Sequence, residues 1–320
     1  MEIRRLEEKD RQAYDALALS VGSVFDTTGW TRAFGSGITH YAICERGGAM
    51  VGGFCTYRTS VLGMSVLRNP PFTPSIGPFL KTCGGATSRL DAWKEAIGAM
   101  AAHVGEMGFS LISFSLSREV VDTQPYIWNK FKVTPGYTYV LDLQRAYEEL
   151  WADVSKKHRH DINKAAKDGL EVRQVPDPSI VRALVLKTFG RQGKKIDSGP
   201  LDAVLSGFAT PENSFSFATF AGDTPIAGTF FLHDRTTCYA LLGGYDHERR
   251  HHGAGALTDW EGLRHAQRLG LKYFDFEGSM VPAIERYFRG FGGRLTPYYR
   301  VHKARLPIEV VLKFYKREIF

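Results

Sequence analysis

The chain has 320 residues, 43% of them hydrophobic and 23% charged, with a formal net charge of +7. That length holds two domains of ordinary size, each able to bury its own core, and the even mixing of apolar and polar residues excludes a low-complexity chain. No window reaches the roughly 18 consecutive apolar residues of a membrane span, and the charged start from Met1 to Arg5 is no signal core, so a cytoplasmic protein is expected.

The positive balance favours anionic partners such as nucleotides, RNA or acidic lipid without choosing among them. Cys44, Cys55, Cys83 and Cys238 stand far apart with no CxxC spacing. They read as reduced small hydrophobes.

In the first half, Leu6, Tyr14, Leu17 and Ala18 mark a helix, Trp30 to Phe34 a short second one, and Tyr41–Glu45 with Gly52–Arg58 two strands about the turn Gly47-Gly48. Asn69 to Pro78 is a proline-rich loop. Arg89–Glu106 has helical spacing, and Leu111–Leu116 reads as a strand. In the second half the helices are Tyr147–Val154, Lys156–Lys167, ended by Gly169, and Val181–Phe189. Phe215–Phe220 and Ile226–Leu232 are strands about Gly222-Asp223, Cys238–Leu242 is a third, and helix Ala256–Leu269 stops at Gly270 before strand Leu271–Phe276. The two halves share an element order, which predicts a duplicated α+β fold with a boundary near Tyr139–Gln144.

Between strand and helix lies Arg250-His251-His252-Gly253-Ala254-Gly255. Two glycines let backbone approach a ligand closely, the helix start favours negative charge, and Arg250 adds a cation. A pyrophosphate suits such a turn.

The R-x-x-G-x-G of Arg250, Gly253 and Gly255 resembles the acyl-CoA motif of the GNAT N-acyltransferase superfamily. Leu150-Trp151 followed by Ser155 to Ala165, Phe274-Asp275-Phe276-Glu277-Gly278-Ser279, and Tyr287-Phe288-Arg289-Gly290-Phe291-Gly292-Gly293 resemble the FemAB/BioF2-like branch. That resemblance implies two tandem GNAT-like domains, each a mixed, mainly antiparallel sheet flanked by helices: 1–141 without a cofactor site of its own, and 142–320 with the anion-binding loop. It implies an acyltransferase acting on a primary amine of a small-molecule or peptide acceptor, with acyl-CoA as co-substrate and no metal. The alternatives are an aminoacyl-tRNA-dependent enzyme acting on a peptidoglycan precursor, with tRNA as partner, and a non-catalytic anion-binding duplicate. The tRNA-dependent members commonly show F-K-x-x-F-G. Here Phe288 stands at the lysine position and Arg289 one later, which speaks against aminoacyl-tRNA, while the intact R-x-x-G-x-G leans toward acyl-CoA.

In that fold the amides near Leu242, Gly243 and Gly244 serve the thioester oxygen, while Arg250, Gly253, Ala254 and Gly255 hold the phosphates. Asp275 and Glu277 share one face of a strand among aromatics, where a raised pKa would suit a base, and Tyr245 and Asp246 stand at the mouth of the neighbouring strand. Lys156 and Arg159 on a basic helix, Gln192 in a loop with two glycines and three cations, and Arg289 are the expected acceptor-binding residues. His247 with His251 and His252 precedes the helix and lacks a nearby cysteine or a clear further ligand, so no metal is expected, and His251 and His252 read as spacers in the loop.

Overall fold

The computed structural model describes residues 1–191, 193, 197–278 and 280–315. It divides into two compact units: Met1–Gly136 together with Pro297–Phe320, and Tyr137–Thr296.

The first unit runs β1 (Glu2–Arg5), α1 (Arg11–Val21), α2 (Thr28–Arg32), β2 (Ile38–Cys44), β3 (Met50–Val61), β4 (Met64–Arg68), β5 (Phe79–Leu80), α3 (Ala86–Glu106), β6 (Leu111–Ser115) and α4 (Gln124–Trp128). Strands β1 to β4 pair antiparallel in sequence. Helix α3 then crosses over, and β6 lies parallel to β4. The next neighbour of β6 is a strand from the far end of the chain, with Arg300 opposite Ser115 and Ala304 opposite Leu111. The core lies under α3, where Ala96, Ile97, Met100, Ala101 and Val104 meet Ile43, Phe54, Leu67 and Phe114. These are the helical and alternating spacings an apolar face requires.

The second unit runs β7 (Lys132–Asp142), α5 (Tyr147–Asp153), α6 (Lys156–Lys167), β8 (Leu170–Gln174), α7 (Ser179–Arg191), α8 (Ser198–Asp202), β9 (Ser214–Ala221), β10 (Thr224–His233), β11 (Thr237–Tyr245), α9 (Ala254–Arg268), β12 (Tyr273–Asp275) and α10 (Pro282–Arg289). The chain then enters β13 (Arg294–Ala304) and α11 (Leu306–Tyr315) and returns to the first unit. Strands β8 to β11 pair antiparallel in sequence, α9 crosses over, β12 lies parallel to β11, and β7 is antiparallel to β12. Both units therefore repeat one topology: four antiparallel strands, a helical crossover, one parallel strand and a closing antiparallel strand.

The closing strands are exchanged along the chain. β7 follows β6 in sequence yet pairs with β12 of the second unit, whereas β13 pairs with β6 of the first. For that reason the division falls at Gly136 and again at Thr296, and Pro297–Phe320 joins the first unit. The sequence reading, a single cut after residue 141, differs from this because exchange leaves no local mark.

Helix α9 buries Ala256, Trp260, Leu263 and Ala266 against the sheet. Gly262 is obligatory there: a Cβ would stand 2.1 Å from the Phe231 ring. The helix ends in a Schellman turn, with Leu271 N–H donating to Ala266 O at 3.2 Å, Gly270 N–H to Gln267 O at 2.9 Å, and Gly270 at φ +78°. At the start of α6, Ser155 accepts from His158 N–H at 3.2 Å. Ser155→Ala is expected to lower stability by about 1 kcal/mol in urea melts.

Several strands escape the sequence reading. β8 is an edge strand whose Glu171 and Arg173 are exposed and paired with each other, so no apolar run marks it. The stretch Tyr287 to Gly293 starts inside α10, whose proline sits at the helix opening.

Candidate functional site

Strand β11 is paired along its length with β10, from Cys238 opposite His233 to Tyr245 opposite Ala227. Its other edge meets β12 only over Thr237–Tyr239, opposite Tyr273–Asp275. Beyond Tyr239 that edge has no strand partner among the described residues. A bulge sets Phe230 against Leu242 but Phe231 against Ala240, so Leu241 is the extra residue and β11 bends where the ladder to β12 stops. The two parallel strands thus part company.

A cleft of about 370 Å³ is lined by Ala240, Gly243, Gly244 and Tyr245 of β11, Gly228 and Thr229 of β10, and Gly255, Ala256 and Asp259 of α9. Tyr287 and Phe288 of α10, Thr188 of α7, and His251 and His252 complete the lining. Gly244 has no room for a side chain, since a Cβ would stand 2.3 Å from the backbone of Leu184 and Val185, whereas Gly243 faces open space.

The two glycines of the turn do different things. A Cβ on Gly253 would stand 2.0 Å from the Asp161 carbonyl oxygen of α6, so that glycine lets two helices touch. A Cβ on Gly255 would meet only the Tyr287 hydroxyl, at 3.4 Å. Gly253 N–H donates to His251 Nδ1 at 3.1 Å and Ala254 N–H to His251 O at 3.1 Å. An Nδ1 that accepts leaves the proton on Nε2, which lies 3.0 Å from Asp168 Oδ2 and donates to it. The amides of Gly255 and Ala256, both on the cleft wall, have no acceptor among the described residues. A helix start with two unsatisfied N–H groups binds anions.

Asp259, one turn further along α9, is buried. Its Oδ1 accepts from Thr229 Oγ1 at 2.7 Å and its Oδ2 from the Tyr287 hydroxyl at 2.6 Å. Burial lifts the carboxyl to about 6, while the Tyr287 and Thr229 hydroxyls pull the other way. Burial, reinforced by Asp259, holds the Tyr287 hydroxyl well above its ordinary range. Sequence reasoning missed Asp259. The available signal was a carboxylate at an apolar-face position, three after Ala256, beside Trp260 and four before Leu263.

The residues singled out from sequence are placed as follows. Tyr245 lines the cleft half-buried, its hydroxyl raised by burial and lowered in part by nearby Arg250. Leu242 is buried away from the cleft lining, and Arg250 is exposed. Asp275 and Glu277 lie outside the cleft lining. Asp275 Oδ1 accepts from Thr138 Oγ1 at 2.6 Å and Glu277 N–H at 2.9 Å, and Gly278 N–H donates to Thr138 Oγ1 at 3.0 Å. These bonds hold a turn in which Glu277 takes φ +62°. Asp246 is paired with Lys187 Nζ at 2.7 Å, which holds its carboxyl below the usual range.

On α6, Lys156 is exposed, while Arg159 Nη1 donates to the carbonyls of Ala152 at 2.9 Å and Trp151 at 3.2 Å. Arg289 pairs with Glu285 at 2.9 Å. Gln192, Lys194 and Lys195 lie outside the described residues. Among the described residues no group of three His, Cys, Asp or Glu side chains is arranged for a metal, and no helix is long and apolar enough to cross a membrane.

Residues 152–289 match the family described as acetyltransferase (GNAT) domain. The crystal structure of FemX superposes on 98% of this chain and 100% of its own with a TM-score of 0.69 at 14% identity. The chain has a FemX-like tandem GNAT fold. L-PGS from Bacillus licheniformis aligns over 98% of each chain with a TM-score of 0.56 at 14% identity. A tandem GNAT protein from the clavulanic acid biosynthesis pathway covers 94% of this chain and 98% of its own, with a TM-score of 0.55 at 12% identity. No curated protein matches the sequence. The family match lies within the second unit, and the parted strands, the helix start and Asp259 all lie in that unit.

Proposed function

We propose that the second unit moves an acyl group from acyl-CoA to a primary amine on a small-molecule or peptide acceptor. The observation that carries this reading is the pair of acceptor-free amides, Gly255 and Ala256, on the wall of a cleft that also runs along the unpaired edge of β11. The donor's pyrophosphate would take those amides and Arg250. Its pantetheine arm would follow β11, with a free strand amide near Gly243 facing the thioester oxygen. Phe288, at the position where tRNA-dependent relatives commonly carry lysine, lines the same cleft and adds no cation. A CoA-dependent reaction would run in the cytoplasm.

Acetyl-CoA at about 100-fold its Kd is expected to stabilise the chain by about 2.7 kcal/mol, read as a rise in Tm. Gly255→Glu is expected to fold, because its Cβ would meet only the Tyr287 hydroxyl at 3.4 Å, and to lose that rise, because a carboxylate there opposes the phosphates. An equal rise in both proteins would overturn the reading.

The second reading takes the acyl group from aminoacyl-tRNA to a cell-wall peptide precursor. It is favoured by the exposed face of α6, where Lys156 and Lys167 have no carboxylate partner among the described residues. A stabilisation by charged tRNA that acetyl-CoA does not reproduce selects it. Binding of either donor without amide formation across a panel of amines leaves an anion-binding duplicate.

A further inference from the structure

Asp259 stands apart from the other buried carboxylates of the second unit. Asp246 has Lys187 against it, and Asp275 holds a turn through a backbone amide and Thr138. Asp259 has only two neutral hydroxyls, and among the described residues no lysine, arginine or histidine pairs with it. Asparagine in the same volume would satisfy Thr229 equally well without the cost of desolvating a carboxylate. A structural role alone gives no reason for the acid.

Its partner is fixed in place. The Tyr287 ring packs at 5.4 Å and 81° against Phe291 and at 5.3 Å against His158, and its hydroxyl lies at the Gly255 side of the cleft. That oxygen donates to Asp259, so its lone pairs are left to accept a proton from whatever reacts beside the helix start. The other titratable groups around the pair are Tyr245, His251 and His252 on the cleft wall and His158 behind the ring. Of these, His158 is lowered by burial and Tyr245 raised by it.

We propose that Asp259 is the group that holds the amine's proton during acyl transfer, reached through the Tyr287 hydroxyl. This rests on the acyltransferase reading and deepens it. As the amine nitrogen forms its bond to the acyl carbon, its N–H proton passes to Tyr287 Oη while the tyrosine's own proton passes to Asp259 Oδ2. The carbon–sulfur bond then breaks, and the departing thiolate takes the proton back along the same path. Tyrosine and aspartate end as they began, so the step needs no further reactant. A carboxyl lifted to about 6 is charged, and ready to accept, at neutral pH.

The test uses the full chain with acetyl-CoA and a panel of primary amines, following thiol release against pH and CoA binding by calorimetry. In the wild type, kcat/KM is expected to rise through about pH 6. Asp259→Asn is expected to lower the rate by about 10²- to 10³-fold and to flatten that rise, with CoA binding unchanged. Tyr287→Phe should lose rate in the same way. Thr229→Val, which removes one hydrogen bond to the carboxylate, should move the midpoint to higher pH. A wild-type rate or an unchanged pH rise in Asp259→Asn would overturn the proposal, as would a loss of rate matched by an equal loss of CoA affinity. Failure of the wild type to bind CoA, or to release thiol with any amine, overturns the acyltransferase reading itself and this inference with it.

Discussion

Gly253→Ala is expected to destabilise the chain by about 3 kcal/mol or to abolish folding of the second unit, while Gly255→Ala, two residues on, is expected to stay within about 1 kcal/mol of wild type on the stabilising side. The contrast follows from what each hydrogen faces. At Gly253 a methyl group would stand 2.0 Å from the Asp161 carbonyl and 2.9 Å from the Ala165 Cβ, so α6 and α9 must separate, and backbone cannot swing aside as a flexible side chain does. At Gly255 the one neighbour is a hydroxyl at ordinary contact distance, and alanine is the better helix former. Urea melts of the two variants beside wild type measure this. If Gly253→Ala melts with wild type, the close contact between α6 and α9 is wrong.

Asp259→Asn is expected to be the more stable protein at pH 8 by up to about 3 kcal/mol, with the advantage shrinking toward zero at pH 4. Burial raises this carboxyl from 3.8 to about 6, so the folded chain holds the proton more tightly than the unfolded chain does. Stability from this group is therefore complete below about pH 4 and is lost as pH rises through about 6. Asparagine carries no such proton, so the difference between the two proteins grows with pH while the contributions of every other group cancel. A gap of constant size between pH 4 and pH 8 would show that the carboxyl is not raised. Together with the rate loss expected of the same variant, a gain in stability would mark Asp259 as a residue kept for chemistry at a cost to the fold.

The parts of the fold legible in the sequence are those whose signals are local. The hairpin of β9 and β10 is marked by alternating apolar residues about Gly222-Asp223, and α9 by an apolar stripe closed by Gly270. Leu111–Ser115 is likewise a short apolar run. Strand β13 was missed because Arg294, Arg300 and Lys303 break its apolar alternation, and its pairing partner β6 lies some 185 residues away in the chain. The candidate site divides in the same way. The turn from Arg250 to Gly255 can be found from spacing, yet spacing cannot say that Gly253 serves helix packing and Gly255 the cleft, because both are glycines at a helix start. Asp275 and Glu277 stand out in the sequence as alternating carboxylates at a strand end, whereas Asp259 looks like one more polar residue on a helix until the helix is set against its neighbours. What exposes it is the company it keeps: Thr229 and Tyr287 are 30 and 28 residues distant.

The swap of final strands reverses the order in which the protein can mature during synthesis. Residues 137–296 are contiguous, so the second unit has all its pieces once they have left the ribosome. The amino-terminal half, though made first, must wait with an open sheet margin beside β6 until Arg300 to Ala304 emerge to cover it.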